Sequence, residues 1–226
     1  MGFFDDMLRF ISVMILGMED RTKAFRQEME MGERYIRWGE ERGDLRDFES
    51  ALHHLEICRN EDAGRPDLIL RKQAALLQAL VGLMRVQVER LRAQEAQMRS
   101  EVTELEDGLR GTRDEAEAAG HRVQSLEREG RMIRAREARE QLEELQRARD
   151  RLAEQVQEEK TRLKQELAEL VAEARQGLAQ RRDRLELAIA ELDGVEDVSP
   201  EARQNITGGA RREADELEQQ LAVFGE

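Results

Sequence analysis

Apolar residues open the chain at helical spacing. Phe3, Phe4, Met7, Leu8, Ile11, Met14, Ile15 and Met18 recur at intervals of three and four, leaving Asp5, Arg9, Ser12 and Glu19 largely on another side. The pattern predicts a short amphipathic helix over residues 1–20. Asp20 and Thr22 offer capping side chains for a second helix with apolar positions Phe25, Met29, Ile36, Leu45, Phe48, Leu52 and Leu55. Gly32, Gly39 and Gly43 are expected to weaken that helix locally. A hairpin turn is expected at residues 60–66, where Gly64 and Pro66 supply stop and start chemistry and Asp67 follows as a first-turn acid.

From Met84 a 3-4 spacing runs through Val88, Leu91, Met98, Val102, Leu105, Leu109, Ala116, Ala119, Val123, Leu126 and Ile133, with Glu95, Thr112 and Gly130 as exceptions. Sustained heptads of this kind predict a coiled-coil seam. Between residues 134 and 141 the phase slips, and a bend or a change of packing partner is expected there. A new stripe begins at Ala138, Leu142, Leu145, Leu152, Val156 and Leu163, then continues through Leu167, Leu170, Ala174, Leu178, Leu185 and Leu192. Residues 193–200 end this helix, and Ser199 with Pro200 opens a last short one, which Gly208 and Gly209 are expected to interrupt before a final amphipathic piece from Arg211 to Phe224 that carries Ala214, Leu217, Leu221 and Phe224. The expected fold is all-α: a long helical hairpin or coiled coil with an N-terminal amphipathic helix and further C-terminal helices. Its segments are 1–20, an amphipathic membrane or partner helix; 21–133, a hairpin with a coiled-coil seam; 134–193, a continuing long helix; and 194–226, an acidic helical tail.

Composition agrees with this reading. Of 226 residues, 38% are charged and 4% aromatic, which favours long helices over an aromatic-rich core. The net charge is −13, and residues 191–226 alone hold ten acids against three arginines. Such a chain is a poor ligand for phosphate backbones or anionic lipid unless its basic residues gather on one face, so nucleic acid is not an expected partner. A lone Cys58 allows no internal disulfide, and the start lacks the composition of a secretory signal, so the cytoplasm is the expected compartment. The apolar run at residues 3–18 is broken by Asp5, Asp6, Arg9 and Ser12 and falls short of a bilayer span.

No nucleotide-binding, zinc-protease or nucleophile-elbow motif is present, and neither an enzyme activity nor a cofactor is expected. His53, His54 and Cys58 sit close in sequence, but two ligands one turn apart do not make a zinc site. Glu143, Glu144, Glu158 and Glu159 stand beside arginines and read as solvated ion pairs. Arg181, Arg182 and Arg184 form the densest basic cluster, expected to be an intersubunit salt-bridge patch.

The N-terminal segment has two readings. Either its apolar face packs against the hairpin or a neighbouring subunit, or it lies in a membrane interface by hydrophobic insertion, its acids giving no electrostatic help. The order of elements, with Met1-Gly2-Phe3-Phe4, the Glu19-Asp20 pair, Gln27-Glu28-Met29-Glu30 and the run from Met98 to Arg113, resembles the family of phage shock protein A and the vesicle-inducing protein in plastids, ESCRT-III-like proteins of bacteria and plastids. That resemblance implies a non-enzymatic scaffold polymerising into rods or rings, peripheral on the inner face of the cytoplasmic membrane, which it stabilises or remodels under stress. Phe3, Phe4, Met7, Leu8, Ile11 and Ile15 are the expected lipid-inserting residues. Leu91, Met98, Val102, Leu105, Leu109, Leu126, Leu163, Leu170 and Leu185 are expected to build self-assembly contacts, on the ground that long apolar stripes outrun what one hairpin can cover. A soluble coiled-coil adaptor or cytoskeletal-type protein is the alternative. Any regulatory protein partner is left unspecified.

Overall fold

The computed structural model describes residues 2–195 and 198–224, with side chains from Gly17 onward. Among them all regular structure is helical: α1 (Gly2–Arg42), α2 (Leu45–Ile57), a 3-10 turn (Asn60–Asp62), α3 (Pro66–Arg128), α4 (Met132–Asp193) and α5 (Pro200–Ala222). The chain forms two compact units, one made of Met1–Arg90 with Val171–Phe224 and the other of Leu91–Leu170.

The expected boundary at residue 20 is absent, because α1 is one uninterrupted helix of 41 residues. Asp20 and Thr22 cap nothing. The stretch around them lacks proline, and a single Gly17 costs only about 1 kcal/mol against alanine, too little to stop a helix. The break comes at Gly43, whose φ of 63° is the left-handed conformation of a helix stop and whose N–H donates to Gly39 O at 2.8 Å. Asp44 then caps α2 by accepting from the Arg46 N–H at 3.1 Å. The turn expected at residues 60–66 is present, with Gly64 at φ 66° and Pro66 opening α3. The Ser199 cap also forms, its hydroxyl accepting from the Ala202 N–H at 3.2 Å, but the expected interruption at Gly208 and Gly209 is absent, because α5 runs through both glycines to Ala222.

In the first unit α1 and α2 run antiparallel, with the Cys58 thiol donating to Phe25 O and His54 Nδ1 lying 2.7 Å from Glu28 Oε2. α3 runs parallel to α1, since Arg71 forks onto Glu33 at 2.6 Å and Gln78 reaches Glu40 at 2.8 Å. α4 returns antiparallel to α3 through Gln73–Glu191 and Gln87–Arg181. Phe25, Met29, Ile36, Leu55, Leu77, Leu80, Met84, Leu178, Leu185, Ile189 and Leu192 fill the centre of the bundle, all fully or almost fully buried. Glycine sets the helix spacing here. A Cβ added at Gly32 would lie 2.7 Å from Leu55 Cγ, one at Gly39 2.7 Å from the Phe48 ring, and one at Gly82 2.2 Å from that same ring.

The second unit is an antiparallel helical hairpin, with Glu106 paired to Lys160 at 2.5 Å and Glu127 paired to Arg139. The expected slip between residues 134 and 141 is replaced by a full chain reversal at residues 129–131. Gly130 has φ 73°, its N–H donates to Glu127 O at 3.0 Å, and the Arg131 N–H donates to Leu126 O at 3.0 Å. These two bonds form the Schellman stop, in which only glycine takes the left-handed position without strain. Gly130→Ala is therefore expected to cost about 1–2 kcal/mol, read as a lower urea midpoint of unfolding.

Candidate functional site: the amino-terminal helix and the helical seam

The proposed lipid-inserting side chains, Phe3, Phe4, Met7, Leu8, Ile11 and Ile15, sit on α1 but lie outside the described side chains. What can be followed is the point where α1 leaves the bundle. Phe25 is buried and contacts the Cys58 thiol through its carbonyl. The Thr22 hydroxyl stands 3.0 Å from where a Gly64 Cβ would be, and Arg21 reaches Asp62 at 4.0 Å. Before that, residues 17–20 are all exposed, and Met18, the last member of the N-terminal apolar stripe, is 58% exposed. No helix among the described residues is long and apolar enough to cross a membrane.

The residues expected to drive self-assembly occupy intramolecular seams. Leu185 and Leu91 are buried, at 0% and 3% exposure. Met98, Val102, Leu105, Leu109, Leu126, Leu163 and Leu170 are half-buried along the hairpin of the second unit. The stripe on α3 meets its counterpart on α4, where Ala135, Ala138, Val156 and Leu167 are buried. Two helices cover one strip of each other and no more, so burial is shallower here than in a bundle. The exceptions in the stripe stay in register: Glu95 and Thr112 are half-buried, and Gly130 makes the turn.

The arginine cluster of α4 also finds its partners within the chain. Arg182 pairs with Asp215 at 2.7 Å, Arg184 with Glu56, and Arg181 donates to Gln87. Arg182–Asp215, Arg85–Glu213 and the Arg211 fork onto Glu186 fasten α5 to the bundle, Arg184–Glu56 fastens α2, and Arg181–Gln87 ties α4 to α3. The Arg211 fork holds the Glu186 carboxyl below the usual carboxylate range. The acids of the C-terminal segment are thus partly matched, and that segment is a docked helix rather than a free charged tail. Glu143 with Arg147, at 3.3 Å, is the expected exposed i,i+4 pair.

A buried polar cluster at the loop end of the first unit went unread in the sequence. Lys72 and Gln73 are 5% and 0% exposed; Lys72 donates to Asn60 Oδ1 and Gln73 to Glu191 Oε2, each at 3.0 Å. Burial pushes the Lys72 ammonium down, against the pull of Glu191. Nothing but the position of Lys72 and Gln73 on the core side of α3 signals this, and charged residues on such a face are rare. Among the described residues no group of three or more His, Cys, Asp or Glu side chains could hold a metal, and His54 is turned to Glu28 instead.

Cys58 lies buried beside this cluster, donating to Phe25 O at 3.6 Å and His54 O at 3.4 Å. Burial pushes its thiol up from 9.0 to about 11, with Lys72 opposing and Glu28 reinforcing the rise. Because the folded chain keeps this proton where the unfolded chain has lost it, the stabilisation is complete below pH 9 and disappears as pH climbs toward 11. Lys72 contributes with the opposite sign, since its folded pKa is depressed. Cys58→Ala isolates the thiol: the parent should lose roughly 2–3 kcal/mol more than the variant across that window, measured by urea unfolding.

Comparison of the chain with family models, curated proteins and solved structures gives no match.

Proposed function

We propose that this chain is a non-enzymatic, self-assembling membrane scaffold, a divergent relative of the ESCRT-III-like proteins, that touches a bilayer through the start of α1. The observation that carries this is the way α1 leaves the bundle. The helix continues through Gly2 with no break, residues 17–20 are exposed, and the apolar stripe that Met18 completes meets no cover at its described end. An apolar helical face with few basic residues suits hydrophobic insertion into a lipid interface. Self-assembly is supported by the exposed apolar side chains Ile57 and Leu187 on the first unit, at 52% and 63% exposure, which are free for a neighbour. Many weak terminal contacts on one polymer would then act together.

Vesicle co-sedimentation tests the lipid contact. The full chain should pellet with neutral vesicles and a chain beginning at Thr22 should not, a loss of at least about tenfold in bound fraction; equal pelleting would end this reading. Among the described side chains that truncation removes, those of residues 17–21, none is buried, and the first buried one is Phe25. Negative-stain microscopy tests assembly, with rods or rings of regular diameter expected. Small discrete oligomers would favour a second reading, a soluble coiled-coil adaptor, which the seam covered within one chain supports.

A further inference from the structure

The turn of the second unit gathers basic charge in an acidic chain. Over residues 128–136 stand Arg128, Arg131, Arg134 and Arg136 against one acid, Glu129, a local charge of +3 where the whole chain is −13. All four guanidinium-bearing residues are exposed. Arg131 pairs with Glu129 at 3.2 Å and Arg136 with Glu140 at 3.5 Å, while Arg128 and Arg134 make no ion pair among the described residues. Between them lie Met132 and Ile133, 64% and 81% exposed, the two of the large apolar side chains left in solvent that adjoin in sequence. The Schellman stop at Gly130 fixes this pair at the turn, ahead of Ala135, the first buried residue of α4.

We infer that this turn is a second membrane contact, specific for anionic lipid, in which Met132 and Ile133 enter the acyl boundary while Arg128, Arg131 and Arg134 meet the headgroups. The chemistry follows from the pairing of functions at one place. Basic side chains gain from a negative leaflet within a Debye length, and two adjacent aliphatic side chains gain only where an apolar phase is close. A phosphate backbone would use the arginines and leave the aliphatic pair in water. An acidic face on a second copy would use the charge, and that occupant is separated by the test. The turn is independent of the α1 segment, whose acids leave hydrophobic insertion as its mode.

The experiment uses the full chain with two variants, R128Q/R134Q and M132S/I133S, on neutral phosphatidylcholine vesicles and on vesicles containing phosphatidylserine. All four substituted residues are exposed, so thermal unfolding should be unchanged. On phosphatidylserine vesicles the arginine variant should bind roughly 25-fold more weakly, about fivefold per charge, and the serine variant about tenfold more weakly. Binding to neutral vesicles should be unaltered in both, because that arm reports the α1 segment alone; its absence in the parent would end the proposed function without touching this inference. Unchanged affinity for phosphatidylserine vesicles in both variants would overturn the inference. A loss confined to the arginine variant would overturn it in favour of a general polyanion site, and a loss of self-association without lipid, with lipid binding intact, in favour of a contact between copies.

Discussion

Phe48→Ala is expected to lower the free energy of unfolding by about 3–5 kcal/mol, the range for removing a fully buried ring that its surroundings cannot refill. The ring is 1% exposed and lies between two glycines, Gly39 on α1 and Gly82 on α3, where added Cβ atoms would come within 2.7 and 2.2 Å of it. Helix backbones held apart by one aromatic ring do not collapse onto an alanine, so the cavity term remains. Gly82→Ala attacks the same site from the other side. A methyl group at 2.2 Å from a ring carbon forces the ring or the helix to move, at about 1–3 kcal/mol. The double variant should lose less than the sum of the two, because the alanine at 48 vacates the space that the alanine at 82 needs. Urea unfolding of the four proteins measures this; strict additivity would mean that Phe48 and Gly82 do not share the space.

Removing α5, by ending the chain at Val195, should lower stability on the order of 5 kcal/mol and promote association. Leu217, Leu221, Phe224 and Val198 are each buried to 8% exposure or less. Each such side chain contributes about 1.5–3 kcal/mol, an upper bound for area counted against an extended chain and offset by the entropy of ordering the helix. The same truncation uncovers the apolar face on which those residues rest, which should raise the sedimentation coefficient at a given concentration. The ion pairs matter less, since Arg182–Asp215 and Arg211–Glu186 are partly exposed and worth up to about 1 kcal/mol each. Arg182→Ala is therefore expected to leave α5 docked, with a fall in midpoint much smaller than that of the truncation.

Much of the helical plan was legible because it rests on local chemistry. Gly64 with Pro66, Ser199 with Pro200 and the 3-4 stripe are signals carried within one or two turns, and each marks a feature present in the fold. Three things needed tertiary information. Gly32, Gly39 and Gly43 look alike as helix weakeners, yet two of them are seven residues apart on one face and admit Leu55 and Phe48, while the third is the stop. The reversal at Gly130 was hidden by a stripe that keeps its spacing up to the turn and resumes with another phase after it. A heptad stripe also carries no label for its partner: the apolar residues assigned to contacts between copies are equally suited to another helix of the same chain, and the return of α4 supplies it. For the proposed lipid contact, the apolar spacing of the segment was legible, and its uninterrupted junction with the bundle was not.

That junction fixes an azimuth. A terminal segment joined by a loop could turn freely about its own axis, but one that shares a single helix with Phe25, Met29 and Ile36 points wherever their grip dictates. Each added residue in a helix rotates everything before it by about 100°. Slipping one alanine between Glu19 and Asp20 would leave composition, length and bundle almost untouched while swinging the helix from Gly2 to Glu19, about 27 Å of shaft, to a different side, as a key is turned by its bow.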